Sequence, residues 1–247
     1  MIVSRHLLTA PLARSAKAIA NRCGLDLVRL KNVPTHTFAG LRNRPIRTVI
    51  DCGANKGQFA AKVSGVFPEA VVHCFEPLSA PYQELAAWAR TQGERVHCYN
   101  VALGDEEGSV VMHHHLDHET SSSLLSRTEH QVALVPSTAR EREIVVPLTT
   151  LDIALESALD TMASETLLKL DVQGYEDRVL MGAQKVLSQV DYCLLEVSVD
   201  PLYSAQARFA GLVAMLDAQA FDYAGNLDQV YGDDGRIMWL DALFRRK

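Results

Sequence analysis

The apolar positions change period along the chain. Over residues 3–23, Val3, Leu7, Leu12, Ala16, Ile19 and Cys23 recur at close to 3.6 residues, which predicts an amphipathic helix. A less regular stretch reaches Pro45, and from there short β-branched runs alternate with helical stripes. Residues 47–51 (RTVID), 71–75 (VVHCF), 95–103 (RVHCYNVAL), 166–172 (TLLKLDV) and 191–199 (DYCLLEVSV) read as strands. Phe59, Val63 and Val66 mark a first helix between them, and Leu78, Tyr82, Leu85 and Ala89, behind a Ser79 cap, a second. Tyr175, Val179, Ala183 and Val186 mark a third, and Phe209, Leu212, Val213 and Leu216 the last long one. Residues 237–244 are apolar on both alternating faces except at Asp241, as an interior strand requires. The runs 109–113 and 143–148 read as strands on either side of a polar, irregular segment, 114–142, of a length usually reserved for lids or binding loops. Strands and helices alternating at these spacings predict β-α-β units and a mostly parallel sheet. The expected organisation is an α/β domain over 46–247, interrupted by an insertion at about 108–147 and preceded by a helical extension, 1–45.

Composition narrows the class. The 247 residues are 48% hydrophobic and 22% charged, enough apolar material for a core and too much for a disordered chain. No run approaches the ~20 apolar residues of a membrane span. Arg5, Arg14, Lys17 and Arg22 interrupt the N-terminal apolar residues, so the segment does not read as a secretory signal. The five cysteines are odd in number and lack a C-x-x-C pair, which suits buried thiols in a reducing compartment and a cytoplasmic location.

Charge divides the chain. Residues 1–47 carry nine Lys and Arg against Asp26 alone, a net +8, whereas the remainder nets −14. An acidic body argues against nucleic acid as a partner, because affinity there comes from neutralising phosphates. For the basic N-terminal helix, packing on the body or a homodimer contact is the leading expectation. Covering an acceptor pocket, or lying on an anionic membrane surface through residues 3–23, are the others.

The chemistry concentrates in Val49-Ile50-Asp51-Cys52-Gly53-Ala54-Asn55-Lys56-Gly57-Gln58-Phe59: a strand ending in a carboxylate, a glycine-bracketed turn, and a helix start with free N–H donors. The turn lacks the second glycine of G-x-G-x-x-G and is not a G-x-x-x-x-G-K-[ST] phosphate loop. A carboxylate at the strand end suits an ammonium group better than a phosphate, which points to S-adenosylmethionine. Glu76 ends the next strand, where an acidic side chain accepts ribose hydroxyls. Glu76 alone also admits NAD and an oxidoreductase; the loop argues against it.

The ordered series IDCGANKGQF, CFEP, VALGD, SSSL, PLTTLD and LLKLDVQGYEDRVLMGA, over about residues 46–200, resembles the FkbM-type methyltransferases. The resemblance implies a class I methyltransferase (Rossmann-like) fold, a seven-stranded, mostly parallel sheet with its last strand antiparallel. It also implies S-adenosylmethionine as methyl donor and O-methylation of a sugar, a glycan or a secondary metabolite. On that reading Asp51, Gly53, Ala54, Asn55 and Gly57 hold the methionine part, Glu76 the ribose, and Asn100, Val101 and Ala102 border adenine. Phe59 and Pro77 complete the cofactor-binding set, and Asp171 lies near the sulfonium and the acceptor. The alternative from another class is a non-catalytic, cofactor-binding partner in a glycan or metabolite assembly complex.

A sugar hydroxyl is a poor nucleophile, so a base or a metal would help. The catalytic candidates are Asp171, Lys169 and Glu196. Lys169 and Asp171 stand two residues apart on one strand face, and Glu196 ends the neighbouring strand. Asp171 and Glu196 together are also the candidate ligands for Mg²⁺; a structural Lys169–Asp171 ion pair is the competing reading. His113, His114, His115 and His118 read as an exposed polar loop, with a single general base among them as the alternative. Ser121, Ser122 and Ser123 read as a plain flexible loop, with closure over the cofactor as the alternative. Thr149-Thr150-Leu151-Asp152 reads as a helix cap.

Overall fold

Two five-residue runs, Thr48–Cys52 and Thr166–Leu170, are buried at every position, the polar Asp51 and Lys169 included. Strands covered on both faces need helices on either side, and the helical segments Gln58–Val66, Ser79–Arg90, Glu176–Met181 and Phe209–Ala218 provide them. The computed structural model describes residues 10–162 and 165–247. The strands among them are β1 Thr48–Cys52, β2 Val71–Phe75, β3 Val96–Tyr99, β4 Ala102–Leu103, β5 Gly108–His115, β6 Glu141–Thr149, β7 Thr166–Leu170, β8 Tyr192–Ser198, β9 Phe221–Tyr231 and β10 Ile237–Arg246.

One sheet has the order β3-β2-β1-β7-β8-β10-β9. β3, β2, β1, β7 and β8 run parallel, and β10 enters antiparallel between β8 and β9. This is the seven-stranded, mostly parallel sheet with its last strand antiparallel that the sequence led us to expect. Alternation along the strands divides the core. Ile50, Leu168 and Leu195 pack on one face with Leu212 and Leu216, and Val49, Leu167 and Leu194 on the other with Val63 and Leu85. The chain leaves β1 outward through β2 and β3 and returns to the other side of β1 as β7. That reversal opens a crevice beyond the carboxyl ends of β1 and β7, where α/β sheets bind ligands.

Several expectations change in detail. The run 95–103 is two strands rather than one: β3 stays in the large sheet, while β4 joins β6 and β5 in a second, three-stranded sheet. Asn100 fixes the break, its Nδ2 donating to the carbonyls of Glu76 (2.8 Å) and Pro77 (3.1 Å). The irregular segment is trimmed only at its ends: β5 and β6 pair antiparallel and take residues 114–115 and 141–142, leaving 116–140 between them with the short helix Glu129–Leu134 inside it. Ser79 opens its helix without a side-chain cap. Thr150 does cap its helix, accepting from Ile153 N (3.2 Å), and Asp152 instead accepts from Lys185 N and Val186 N, at the start of the distant helix Gln184–Leu187 (2.9 Å each). The N-terminal helix is observed over Ala10–Arg22; the expected residues 3–9 lie outside the described residues. Among the described residues no helix is long and apolar enough to cross a membrane.

The turn at Gly182 seats the helix Glu176–Met181 against the strand β4 region. A Cβ there would sit 2.0 Å from the Gly104 carbonyl oxygen, a backbone group unable to yield, and 3.0 Å from the Thr150 Cβ. Gly182→Ala is expected to cost about 1–3 kcal/mol, as overpacking does. Gly211, at an exposed position of the helix Phe209–Ala218 with open space around it, should behave oppositely, Gly211→Ala adding about 0.5–1 kcal/mol. Urea denaturation of both variants checks the pair.

Candidate active site

The crevice is a cleft of about 660 Å³, solvent-open space included. Its lining contains Gly53, Asn55, Glu76, Pro77, Val101, Ala102 and Asp171 from the expected set. Phe75, Leu78, Met112, Glu119, Ser122, Gln173 and Tyr175 also line it. The turn after β1 is pressed against the end of β7, since a Cβ on Gly53 would lie 1.9 Å from the Asp171 carbonyl oxygen. Gly53 (φ +79°) therefore admits no side chain.

Glu76 is built into the wall. Its Oε2 accepts from Asn55 N (2.9 Å) and its Oε1 from Leu78 N (2.8 Å). Each oxygen keeps a further lone pair towards the cleft. Burial lifts its pKa from 4.5 to about 7, against the pull of those N–H donors. The other cofactor-side expectations serve the frame. Ala54 is buried with its N–H donating to Phe75 O, Gly57 begins the helix Gln58–Val66, and Asn100 ties the 76–77 turn.

Asp51 does not reach the cleft. It is fully buried, and Lys169 Nζ stands 3.1 Å from its Oδ1, 3.1 Å from Asp171 Oδ2 and 3.2 Å from the Gly53 carbonyl oxygen. The two side chains are neighbours because Asp51 and Lys169 share a register across β1 and β7. Phe59 covers the ammonium, with Nζ 5.4 Å from its ring centre. Burial works against the charge on Lys169, but Asp171 and Asp51 outweigh it and hold its pKa above the ordinary value. A lysine so held fixes carboxylates and does not take up a proton.

Gln173 is the residue that motif reading missed. Its Nε2 donates to Asp171 Oδ1 (2.7 Å) and Glu196 Oε1 (3.0 Å), joining the two carboxylates. Its backbone is left-handed (φ +57°) and pinned by Ser123 Oγ, which donates to its carbonyl (2.6 Å). The Tyr203 hydroxyl lies 2.7 Å from Gln173 Oε1 and 2.9 Å from the Ser121 carbonyl oxygen. Gln173 lies inside the LLKLDVQGYEDRVLMGA element, but a neutral amide there does not announce a role; alternating donor and acceptor groups across the fold give it its place. The Asp171 charge, then burial, then Asp241 raise Glu196 to about 8.

The sequence profile of the Methyltransferase FkbM domain matches residues 51–223. The chain belongs to the FkbM methyltransferase family. A similar curated protein is the 2-O-methyltransferase NoeI of Sinorhizobium fredii (strain NBRC 101917 / NGR234), 24% identical over 187 residues, or 72% of this chain and 74% of that one. Similar solved structures include the Burkholderia thailandensis 1,6-didemethyltoxoflavin-N1-methyltransferase (14% identity, TM-score 0.47, 100% of this chain and 92% of that one). Another is Streptococcus pneumoniae Sp1610, a putative tRNA (m1A22) methyltransferase (11%, 0.47, 85% and 72%).

In this FkbM chain the residues expected for Mg²⁺ do not fit the ion. Between Asp171 and Glu196 stands the Gln173 amide donor, and the free side of Asp171 faces the Lys169 ammonium. Among the described residues no group of three His, Cys, Asp or Glu side chains could hold a metal. The histidines stay outside the cleft lining. His115 is buried 3.3 Å from Glu141, His113 Nε2 lies 3.1 Å from Ser126 Oγ, and His118 Nδ1 lies 2.8 Å from Ser121 Oγ. The serine run instead joins the insertion to the Gln173 turn.

Glu176, at the foot of that turn, accepts from Val172 N and Gly174 N (3.1 Å each), and burial raises it from 4.5 to about 7. Glu76, Glu176 and Glu196 thus all bind protons more tightly folded than unfolded. Their stabilisation is complete below the unfolded value and is lost as pH rises through the folded one. The ligand-free protein should therefore melt progressively lower from about pH 5 to about pH 8. Glu176→Gln, which keeps the acceptor oxygen and removes the charge, should shallow that slope in a series of calorimetric melts.

Proposed function

We propose that this FkbM-family protein is an S-adenosylmethionine-dependent O-methyltransferase acting on a hydroxyl of a sugar, a glycan or a secondary metabolite. What carries the reading is a single cleft holding Glu76 at the end of β2 and Asp171 at the end of β7, with an apolar wall of Phe75, Val101 and Ala102. The wall suits adenine, Glu76 the ribose hydroxyls, and the Gly53–Asn55 turn and Asp171 the amino-acid and sulfonium end. The similarity to a protein named as a 2-O-methyltransferase supports oxygen as the acceptor atom.

S-adenosylmethionine supplies an electrophilic methyl group on a sulfonium. The protein's own contribution is placement of the acceptor oxygen in line with it, which provides most of the acceleration in such a transfer. Asp171 would receive the hydroxyl proton as the O–C bond forms and the S–C bond to the methyl group breaks, with S-adenosylhomocysteine as the leaving group. Lys169 and Gln173 hold that carboxylate in place, and Asp51 acts through Lys169 rather than on the cofactor. Ser122, Glu119 and Thr120 line the cleft from the insertion, where an acceptor would enter. A non-catalytic, binding-only protein would take up S-adenosylmethionine without forming S-adenosylhomocysteine.

The decisive assay mixes protein, S-adenosylmethionine and a panel of sugars, glycans and hydroxylated metabolites. It reads S-adenosylhomocysteine together with a gain of one methylene in acceptor mass. Glu76→Ala should weaken S-adenosylmethionine binding by about 1.5–3 kcal/mol, the worth of a charged hydrogen bond, in calorimetric titration. Asp171→Asn should lower kcat about 10²–10⁴-fold with a smaller effect on cofactor affinity. Turnover at the parental rate in Asp171→Asn would move the base elsewhere.

A further inference from the structure

No residue from 14 to 37 is buried; the chain enters the core only at Phe38 and Leu41. The exposed portion is nevertheless rich in large aliphatic side chains. Ile19, Leu25, Leu27, Val28 and Leu30 are each between 52% and 64% exposed. Isolated exposed aliphatics are ordinary; a run of four within six residues is not.

The segment has a definite shape. The helix Ala10–Arg22 ends in a turn at Gly24 (φ +73°), with Cys23 N and Leu25 N both donating to Ala20 O (2.9 Å each). Lys17 Nζ pairs with Asp26 Oδ1 at 3.0 Å and ties the following strip back to the helix. The aliphatic strip and the helix therefore form one piece, outside the sheet. Its charge is one-sided. Arg14, Lys17, Arg22, Arg29 and Lys31 stand against Asp26, which Lys17 already neutralises, while residues 48–247 net −14.

We infer that residues 14–31 are a docking surface for an anionic lipid bilayer. Aliphatic side chains exposed beside a cluster of cations match the two layers of a membrane interface, acyl chains below and anionic headgroups above. An opposing protein surface would satisfy the apolar strip alone; the surplus of cations selects an anionic plane. The acidic body would meanwhile be repelled from that plane and held away from it, with only the basic segment engaged.

The test is vesicle co-sedimentation of the full-length protein, with vesicles of phosphatidylcholine alone or mixed with phosphatidylglycerol. Binding is expected to the mixed vesicles, little to phosphatidylcholine, and to fall sharply in about 1 M salt, where the Debye length is about 3 Å. Two variants separate the components: Leu25→Ser/Leu27→Ser/Val28→Ser/Leu30→Ser removes the aliphatic strip, and Arg22→Glu/Arg29→Glu/Lys31→Glu reverses the cations. Each should lower the partition coefficient at least about tenfold while melting temperature and S-adenosylmethionine affinity stay parental, since no substituted side chain is buried. Absence of binding to mixed vesicles overturns the inference. So does equal binding to both vesicle types. If the serine variant converts a dimer to a monomer in analytical ultracentrifugation without vesicle binding by the parent, the strip is a contact between copies of this chain and the membrane assignment is wrong.

Discussion

Two carboxylates, Asp51 and Asp171, share one ammonium group at the place where the sheet reverses direction. Lys169 lies on β7, one strand away from Asp51 and two residues before Asp171, and it also meets the Gly53 carbonyl. The arrangement joins the end of β1 to the end of β7, whose backbones are already in contact at Gly53. A buried charge is tolerable only when paired and further hydrogen-bonded, and removal of one partner of such a cluster typically costs about 3–5 kcal/mol. The geometry of the cleft follows from this triad: the turn carrying Asn55 is fixed against β7, Asn55 N fixes Glu76, and Asp171 is presented to the opening.

Above the triad a second, neutral network sets the proton inventory. Gln173 places one amide between Asp171 and Glu196, so the two acids stand close at the cost of a raised Glu196. The network reaches into the insertion through Ser123 and Tyr203, and the insertion is sewn in turn to the segment after β8 by Thr128 N donating to Leu202 O and Ser204 N donating to Ser126 O. Any displacement of the insertion therefore also perturbs the hydrogen bonds that orient the two carboxylates.

Much of this was legible in the order of the residues. Period and turn chemistry marked β1, β2, β7, β8 and β10, and the strand-end acids drew attention to Asp51, Glu76 and Asp171. What the sequence hides is direction and partnership. A carboxylate at the end of a strand reads the same whether it faces a ligand or a lysine, and only the register of β7 against β1 turns Asp51 inward. β9 escaped notice because its alternation is weak: Phe221 and Leu227 are its only buried positions, six residues apart, and the apolar Tyr223, Val230 and Tyr231 are exposed on a strand at the sheet edge. Gln173 depends on Ser123 and Tyr203, fifty residues before it and thirty after, which no local pattern connects. Two strands of the small sheet, β5 and β6, were legible as the runs 109–113 and 143–148, but β4 was merged with β3 into one run, because two residues are too few to carry a period.

The position of β10 has a consequence for how the chain assembles. It is later in the sequence than β9 yet lies between β8 and β9, so neither has its full set of neighbours until β10 has been made. On the ribosome, β8 emerges with its Leu194-Leu195 edge unpaired, and β9 has no strand to lie against. Such open edges template pairing with other chains until the β9–β10 hairpin docks on β8. The half of the sheet that carries Glu196 thus cannot close before the last strand is made, and the free edge of β8 is open to other chains until β10 covers it.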